Sequence, residues 1–209
     1  MLHGGDQMRL VNRLSLGFAL AFLGGCATID STIAVAHEKP IAATRLSTAR
    51  EVSVETVRVA AATGIEREGV KKNGYGQDSA NIFTDPKPDR IVQQALAAEL
   101  GRAGFNVVSK GSPNLVQVEI RQFFTEPEVG IWAADVYAVV DATVSVTLQP
   151  NKVKRRFTGI GKVTSLVWGD GSYQEAFQLA LQDFLGKCVP ELVRLFDASR
   201  AQHDAPGSM

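Results

Sequence analysis

The sequence predicts an α+β fold. The expected form is a two-layer sandwich, a mainly antiparallel sheet with two helices on one face, in the order β-α-β-β-β-β-α. Three observations predict it. Residues 116–121 and 135–148 alternate between apolar and polar side chains, and a further strand pattern follows a proline turn. Two other stretches repeat their apolar residues at helical spacing. Alternation of period two marks a sheet with one buried and one mostly wet face, and amphipathic helices must cover the buried one.

The elements follow in order. Glu51 to Ala60 is β-rich, and its valines change parity between Val54 and Val57, which suggests a bulge or a strand buried on both faces. Asp89 to Ala103 reads as a helix with Ile91, Ala95, Ala98 and Arg102 on one stripe and Val92, Leu96 and Leu100 beside it. Asp89 is the expected N-cap and Gly104 the stop. Phe105 to Ser109 resumes as a short strand. Val116, Val118 and Ile120 form the buried parity of the next strand, and Val136 to Leu148 that of a longer one. Gln149-Pro150-Asn151-Lys152 makes the turn into a strand from Val153 to Val167, where Gly159 and Gly161 share a parity with Phe157 and Val163. Glycines there predict bends or a close backbone approach. Ser172-Tyr173-Gln174-Glu175 matches a capping box, followed by Phe177, Leu181, Phe184 and Cys188 on one helical face. Pro190 is expected to kink or restart that helix before Leu192, Val193, Leu195 and Phe196.

The N-terminus carries a different kind of signal. Arg9 and Arg13 precede the apolar run Leu14 to Phe22, which ends in Leu23-Gly24-Gly25-Cys26. A basic flank, a short apolar core and small residues before the cut define a secretory signal, and the run is shorter than the roughly 20 residues that cross a bilayer. Met8 is an alternative start to Met1, because Met1 to Gln7 add nothing a signal needs. The expected division is a signal peptide over 1–25, a lipidated flexible tether over 26–50, one α+β domain over 51–197 and a disordered polar tail over 198–209. A flexible tether of this length would span roughly 27 Å root-mean-square.

Cleavage leaves 184 residues with 20 basic and 21 acidic side chains, a net charge of −1. That balance offers no footprint for nucleic acid. With Cys26 lipidated, Cys188 has no intrachain partner and reads as buried packing. The histidines fall at His3, His37 and His203, in the expected signal, tether and tail. A nucleophilic triad needs a positioned imidazole, and a zinc site needs clustered His and Cys, so neither is expected, nor is a cofactor.

Other groups remain as candidates. Asp85 and Asp89 flank a Pro-Lys-Pro turn, Glu126 and Glu128 flank Pro127, and Asp135 and Asp141 lie on a strand's polar face. Glycosidase chemistry needs two carboxyls about 5–10 Å apart across a cleft, whereas acids in these contexts are expected to be solvated. Lys152, Lys154, Arg155 and Arg156 read as a solvated hairpin tip. Trp132 and Trp168, with Phe123, Phe124 and Tyr137, read as core closure at the sheet edge, with a binding surface as the alternative. The stretch Ala61 to Pro88 lacks periodicity and contains Lys71, Lys72, Asn73, Gly74, Tyr75 and Gly76. Asn73-Gly74 favours a tight turn with positive φ, and a long unpatterned connection is a candidate partner-binding loop.

The chain resembles the YajG-type lipoproteins, envelope proteins without an established activity. The likeness rests on the lipobox at Leu23 to Cys26, the valine-rich first strand and Lys72-Asn73-Gly74-Tyr75-Gly76. It continues through the helix ending Ala95 to Phe105, the alternating strands and Tyr173 to Leu185. The resemblance covers about Val52 to Phe196 and implies no catalytic residues. Ala27, where Asp would favour the inner membrane, matches enterobacterial sorting to the outer membrane. The expectation is a non-catalytic, periplasm-facing lipoprotein, held to the membrane at Cys26, that binds a protein partner in envelope assembly or transport. A binding module for peptidoglycan or glycolipid is the first alternative and requires an aromatic-lined concavity. A carboxylate-dependent envelope hydrolase is the second and requires two facing acids.

Overall fold

The computed structural model describes residues 29–41, 44–58, 67–148 and 151–204. The expected signal peptide, Cys26 and the last five residues lie outside the described residues. The elements are β1 (Ser31–Ile33), β2 (Glu51–Arg58), β3 (Gly69–Lys72), β4 (Asp78–Thr84), α1 (Pro88–Arg102), β5 (Asn106–Val108), β6 (Leu115–Val129), β7 (Ala134–Leu148), β8 (Asn151–Ser165) and α2 (Asp170–Asp204).

One mixed, curled sheet is organised around β6. Its whole length pairs antiparallel with β7, which pairs antiparallel with β8. On its other side, the first half of β6 runs parallel to β2, with Val54 opposite Val116. The second half meets β3, with Gly69 opposite Thr125. A register shift between Ile120 and Gln122 separates the halves, and such a bulge bends a strand and increases its twist. β5 extends the sheet beyond β2, and β4 and then β1 extend it beyond β3.

The sheet is therefore mixed rather than mainly antiparallel. The chain leaves β2, crosses through α1 and returns in β5 and β6 alongside β2, and such a crossover makes strands parallel. Three further strands precede α1. β3 and β4 form a hairpin inside the stretch that has no sequence period, and β1 lies in the expected tether. They have 4, 7 and 3 residues, too few to display an alternation of their own.

Helix boundaries also differ from the sequence signals. α1 begins at Pro88, the favoured N1 residue, so Asp89 sits in the first turn rather than at the cap. Its end follows the glycine signal: Gly104 has φ 96°, and the amides of Gly104 and Phe105 donate to the carbonyls of Gly101 and Leu100. α2 begins at Asp170, so Ser172 and Glu175 lie inside it rather than forming the capping box. It continues through Pro190 and past the expected start of the tail to Asp204. Pro190 removes only one helical donor, and Val189, Leu192 and Val193, all buried, hold the helix to the core on both sides of it.

The core lies between the sheet and the helices. Val136, Ala138, Val140, Ala142, Val144 and Val146 of β7 are buried, as are Phe177, Leu181, Phe184 and Cys188 of α2. Phe123 stacks on Phe177 with ring centroids 4.5 Å apart, and Phe105 meets Phe196 edge-on at 4.9 Å. On α1 the buried residues are Ile91, Val92, Ala95, Leu96, Glu99 and Leu100, while Ala98 and Arg102, expected on the buried stripe, face outward.

Gly159 and Gly161 set the distance between sheet and helix. A Cβ on Gly161 would overlap the Ala176 carbonyl oxygen and come within 2.7 Å of the Ala180 nitrogen. A Cβ on Gly159 would overlap the Ala180 carbonyl and come within 2.7 Å of the Phe184 Cβ. The obstacles are mostly helix backbone, which cannot step aside. α2 also closes the outer edge of β8. Asp183 accepts the Ile160 amide at 3.0 Å, and Lys187 donates to the Thr158 carbonyl at 2.9 Å while pairing with Asp183 at 2.7 Å. Covering an edge in this way prevents pairing with another chain.

Gly161→Ala should destabilise the protein by about 3 kcal/mol, at the upper end of overpacking effects. Gly171→Ala, whose Cβ meets nothing within 4 Å, serves as the control and should be neutral or slightly stabilising. Urea unfolding followed by circular dichroism checks both; equal midpoints for the two variants would contradict the close-approach account.

Candidate functional site

The N-terminal segment is not a free tether after residue 29. β1 pairs parallel with β4, Ile33 and Val35 are buried, and the Asp85 amide donates to the Ile33 carbonyl at 3.1 Å. Further along, His37 Nε2 lies 2.6 Å from Glu99 Oε1, with the two side chains 5% and 0% exposed. The Ile41 amide donates to Glu99 Oε2 at 3.3 Å, and Arg102 pairs with Oε1. A buried carboxylate needs such partners, and here the segment supplies two of them. His37 thus belongs to the folded unit, contrary to its assignment to the tether. Its Nε2 is engaged with Glu99, which ties the segment to α1.

The candidate loop is a turn held from both sides. The Asn73 Oδ1 accepts the amides of Tyr75 and Gln77 at 3.0 and 3.1 Å, a pattern that makes asparagine a turn former. Positive φ falls on Gly76, at 78°, rather than on Asn73 or Gly74. Lys71 is largely buried and pairs with Asp170 at 3.0 Å and with Ser31 Oγ at 2.5 Å. Lys72 pairs with Glu126 at 3.1 Å, and its carbonyl accepts the Trp168 indole N–H at 3.4 Å. Tyr75, 92% exposed, is the large side chain this turn presents to solvent.

The expected acids are not brought together across a cleft. Asp141 is buried beneath cations on the sheet face away from α2. Arg156 donates to both of its oxygens at 2.8 and 2.9 Å, and Thr158 donates at 2.9 Å. Those Arg156 bonds hold the Asp141 carboxyl below the ordinary aspartate value, with Thr158 and Arg121 assisting and burial opposing. Asp135 is likewise lowered, first by Lys162 at 2.7 Å and then by Thr164. Glu126 is tied to Lys72. Of the basic cluster, Arg156 serves Asp141, and Arg155 approaches Glu191 at 3.7 Å. Two acids expected to be solvated on the strand's polar face are therefore ion-paired, because β8 sets Thr164 and Thr158 directly opposite them and Lys162 and Arg156 one diagonal step away on the same face.

Cys188 is fully buried, and burial pushes its thiol well above the ordinary range, which removes it as a nucleophile. Among the described residues, no three His, Cys, Asp or Glu side chains gather as a metal site would require. A cleft of about 310 Å³ runs between residues 36–39 and α2, lined by His37, Lys39, Gln174, Glu175, Gln178 and Leu179 among others. Among the described residues no Phe, Tyr or Trp lines it, so this cleft is not the aromatic-lined concavity that the glycan-binding alternative requires.

Trp132 was expected in the core and is instead 86% exposed. It sits in the β6–β7 turn, which the Gly130 amide closes on the Ala133 carbonyl at 2.9 Å. Ile131, Leu166 and Val167 are exposed by 91%, 76% and 85%. Alternation ends before these residues, so sequence offered no face to assign them. Trp168, in contrast, is half-buried and helps close the fold as expected.

Residues 48–193 match the model of a family described as uncharacterised lipoprotein. No curated protein matches the chain's sequence. A solved protein from Xanthomonas campestris is similar over 83% of this chain and 99% of its own, with 12% identity and a TM-score of 0.57, which shows the shared fold. A Chlamydia trachomatis protein has 8% identity and a TM-score of 0.42, over 70% of this chain and 96% of its own. A Neisseria meningitidis lipoprotein has 12% identity and a TM-score of 0.32, over 72% of this chain and 99% of its own. The last two are too distant in shape to support an argument. Among the described residues, no helix is long and apolar enough to cross a membrane.

Two outcomes follow from this geometry. His37→Ala should raise hydrogen exchange of the amides from Ile33 to Ile41 about tenfold, the effect of one lost buried hydrogen bond, while β7 stays protected. Asp141 titrates lower folded than unfolded, so its contribution to stability is complete above about pH 4 and is lost as pH falls through the folded value. Asp141→Asn should lower the unfolding midpoint at neutral pH, with the difference from wild type closing in strong acid. A difference that stays constant across pH would refute the ion-pair account.

Proposed function

The chain belongs to the uncharacterised lipoprotein family, the YajG-type lipoproteins it resembles in sequence, and on that premise we propose that it is a non-catalytic, lipid-anchored binding protein. Cys26 carries the lipid, the outer membrane holds the anchor, and the folded unit faces the periplasm. There it binds a protein partner in envelope assembly or transport. Leu23-Gly24-Gly25-Cys26 after a short apolar run supports the anchor. The engaged acids and the buried Cys188 support a binding role over hydrolysis. Helices packed on the sheet through Leu96 of α1 and Phe177 of α2 leave function to the loops and the exposed sheet surface.

One observation carries the partner reading: the loop from Lys71 to Gly76 spends its other polar side chains internally and holds Tyr75 outward at 92% exposure. A rigid aromatic on a pre-formed turn loses little entropy on binding and is a frequent anchor of protein interfaces. The lysines contribute by fixing the turn rather than by meeting the partner.

A photo-crosslinking residue at position 75 of the full chain in living cells should capture one discrete envelope protein. Tyr75→Ala should weaken recovery of that partner about tenfold or more, the range of an interface anchor. Absence of any specific adduct across growth conditions, with the protein folded and lipidated, would overturn the assignment to this loop. Mass spectrometry of the Cys26 peptide reads the anchor independently.

A further inference from the structure

We propose that the end of the molecule carrying Ile131, Trp132, Leu166 and Val167 rests in the membrane surface, so that the fold itself, and not only the lipid, contacts the bilayer. The inference rests on the anchor reading at Cys26. It starts from the register of the sheet. Ser31 stands opposite Ile82, Ile82 opposite Gly69, and Gly69 opposite Thr125. β1 runs away from the end at which β6 turns into β7, so residues before Ser31 lead toward that end. Ile29, three residues after Cys26, is already a described part of the fold. Three residues reach at most about 11 Å. The lipid would therefore join the protein beside the β6–β7 turn, not at the end of a long tether.

The side chains at this end match a lipid surface. Ile131, Trp132, Leu166 and Val167 are exposed by 91%, 86%, 76% and 85%, and Ile29 by 68%. They come from three separate segments that polar contacts hold together. Ser31 Oγ donates to Asp170 at 3.0 Å, Lys71 pairs with Asp170 at 3.0 Å, and the Trp168 indole donates to the Lys72 carbonyl at 3.4 Å. Ala134 opposite Ser165 brings the turn carrying Ile131 and Trp132 next to Leu166 and Val167. The local charges are partly neutralised as Lys71–Asp170 and Lys72–Glu126 pairs, which lowers the cost of approaching an apolar medium. Tryptophan favours the boundary between headgroups and acyl chains, and aliphatic side chains beside it add buried area. The β3–β4 turn carrying Tyr75 leaves the sheet at this same end, so the partner of Tyr75 is met at the membrane; a lipid surface fits the aliphatic side chains because the anchor's short connection brings this end to the bilayer.

The test uses the mature lipoprotein extracted in detergent and reconstituted into phosphatidylethanolamine–phosphatidylglycerol vesicles with brominated acyl chains. Trp132 and Trp168 are the two tryptophans, and Trp132→Phe separates their signals. The expected result is a blue-shifted emission in vesicles, more than half of it quenched by bromine, with most of the quenching absent in Trp132→Phe. Emission that stays water-like and unquenched while the Cys26 peptide carries lipid would overturn the membrane contact and leave the anchor intact. A Cys26 peptide without lipid would overturn both. Quenching that survives unchanged in Trp132→Phe would also overturn the assignment of this end.

Discussion

The contact between the β8 glycines and the α2 backbone is the constraint on which the rest of the structure depends. Gly159 and Gly161 let the helix approach until Ala176 and Ala180 lie against the strand. At that distance Phe123 can stack on Phe177, and Phe157 can meet Phe184 edge-on with centroids 6.4 Å apart. The same approach brings Asp183 and Lys187 within hydrogen-bond reach of the outer backbone of β8. Core packing and edge protection are thus two results of one close approach.

That approach also shapes what the protein can do. Where the β8 glycines meet Ala176 and Ala180, helix backbone fills the space against the strand, which directs binding toward loops, the open sheet face or surface clefts. The open face is not a row of free charges, because Asp135 and Asp141 are held by Lys162 and Arg156. Strong charge pairing across neighbouring strands stiffens this face without creating an acid–base pair. The loops at the β6–β7 end differ: they hold large apolar groups outward on short, hydrogen-bonded turns. Polar groups turned inward and apolar groups turned outward are the reverse of what solubility alone requires.

Legibility followed the length of the repeating pattern. The strands around Val136 to Leu148 and the buried face of α2 repeat often enough for periodicity to assign both their type and their inward side chains. The glycine pair was visible as well, because its parity matched that of Phe157 and Val163. β1, β3 and β4 escaped because a strand of three to seven residues, supported by neighbours, needs no pattern of its own. His37 looked free for a related reason: its partner, Glu99, is 62 positions away and was hidden in a helix read as amphipathic without it. Nor did residue type separate Trp132 from Trp168. One stands exposed in the β6–β7 turn, and the other lies against Lys72.

The sequence by itself determined the lipobox motif, the α+β class, the order of the patterned elements and the buried faces of β7 and α2, since each follows from local composition or period. Tertiary structure decided the parallel pairing of β2 with β6, the capture of the N-terminal segment and the pairing of each buried acid. It also decided which aromatics face water. These depend on distances between residues far apart in the chain, and local periodicity carries no record of them. The shortened connection between Cys26 and the fold joins the two levels: a motif marks the expected anchor, and the pairing of β1 sets how near the folded unit must stand to it.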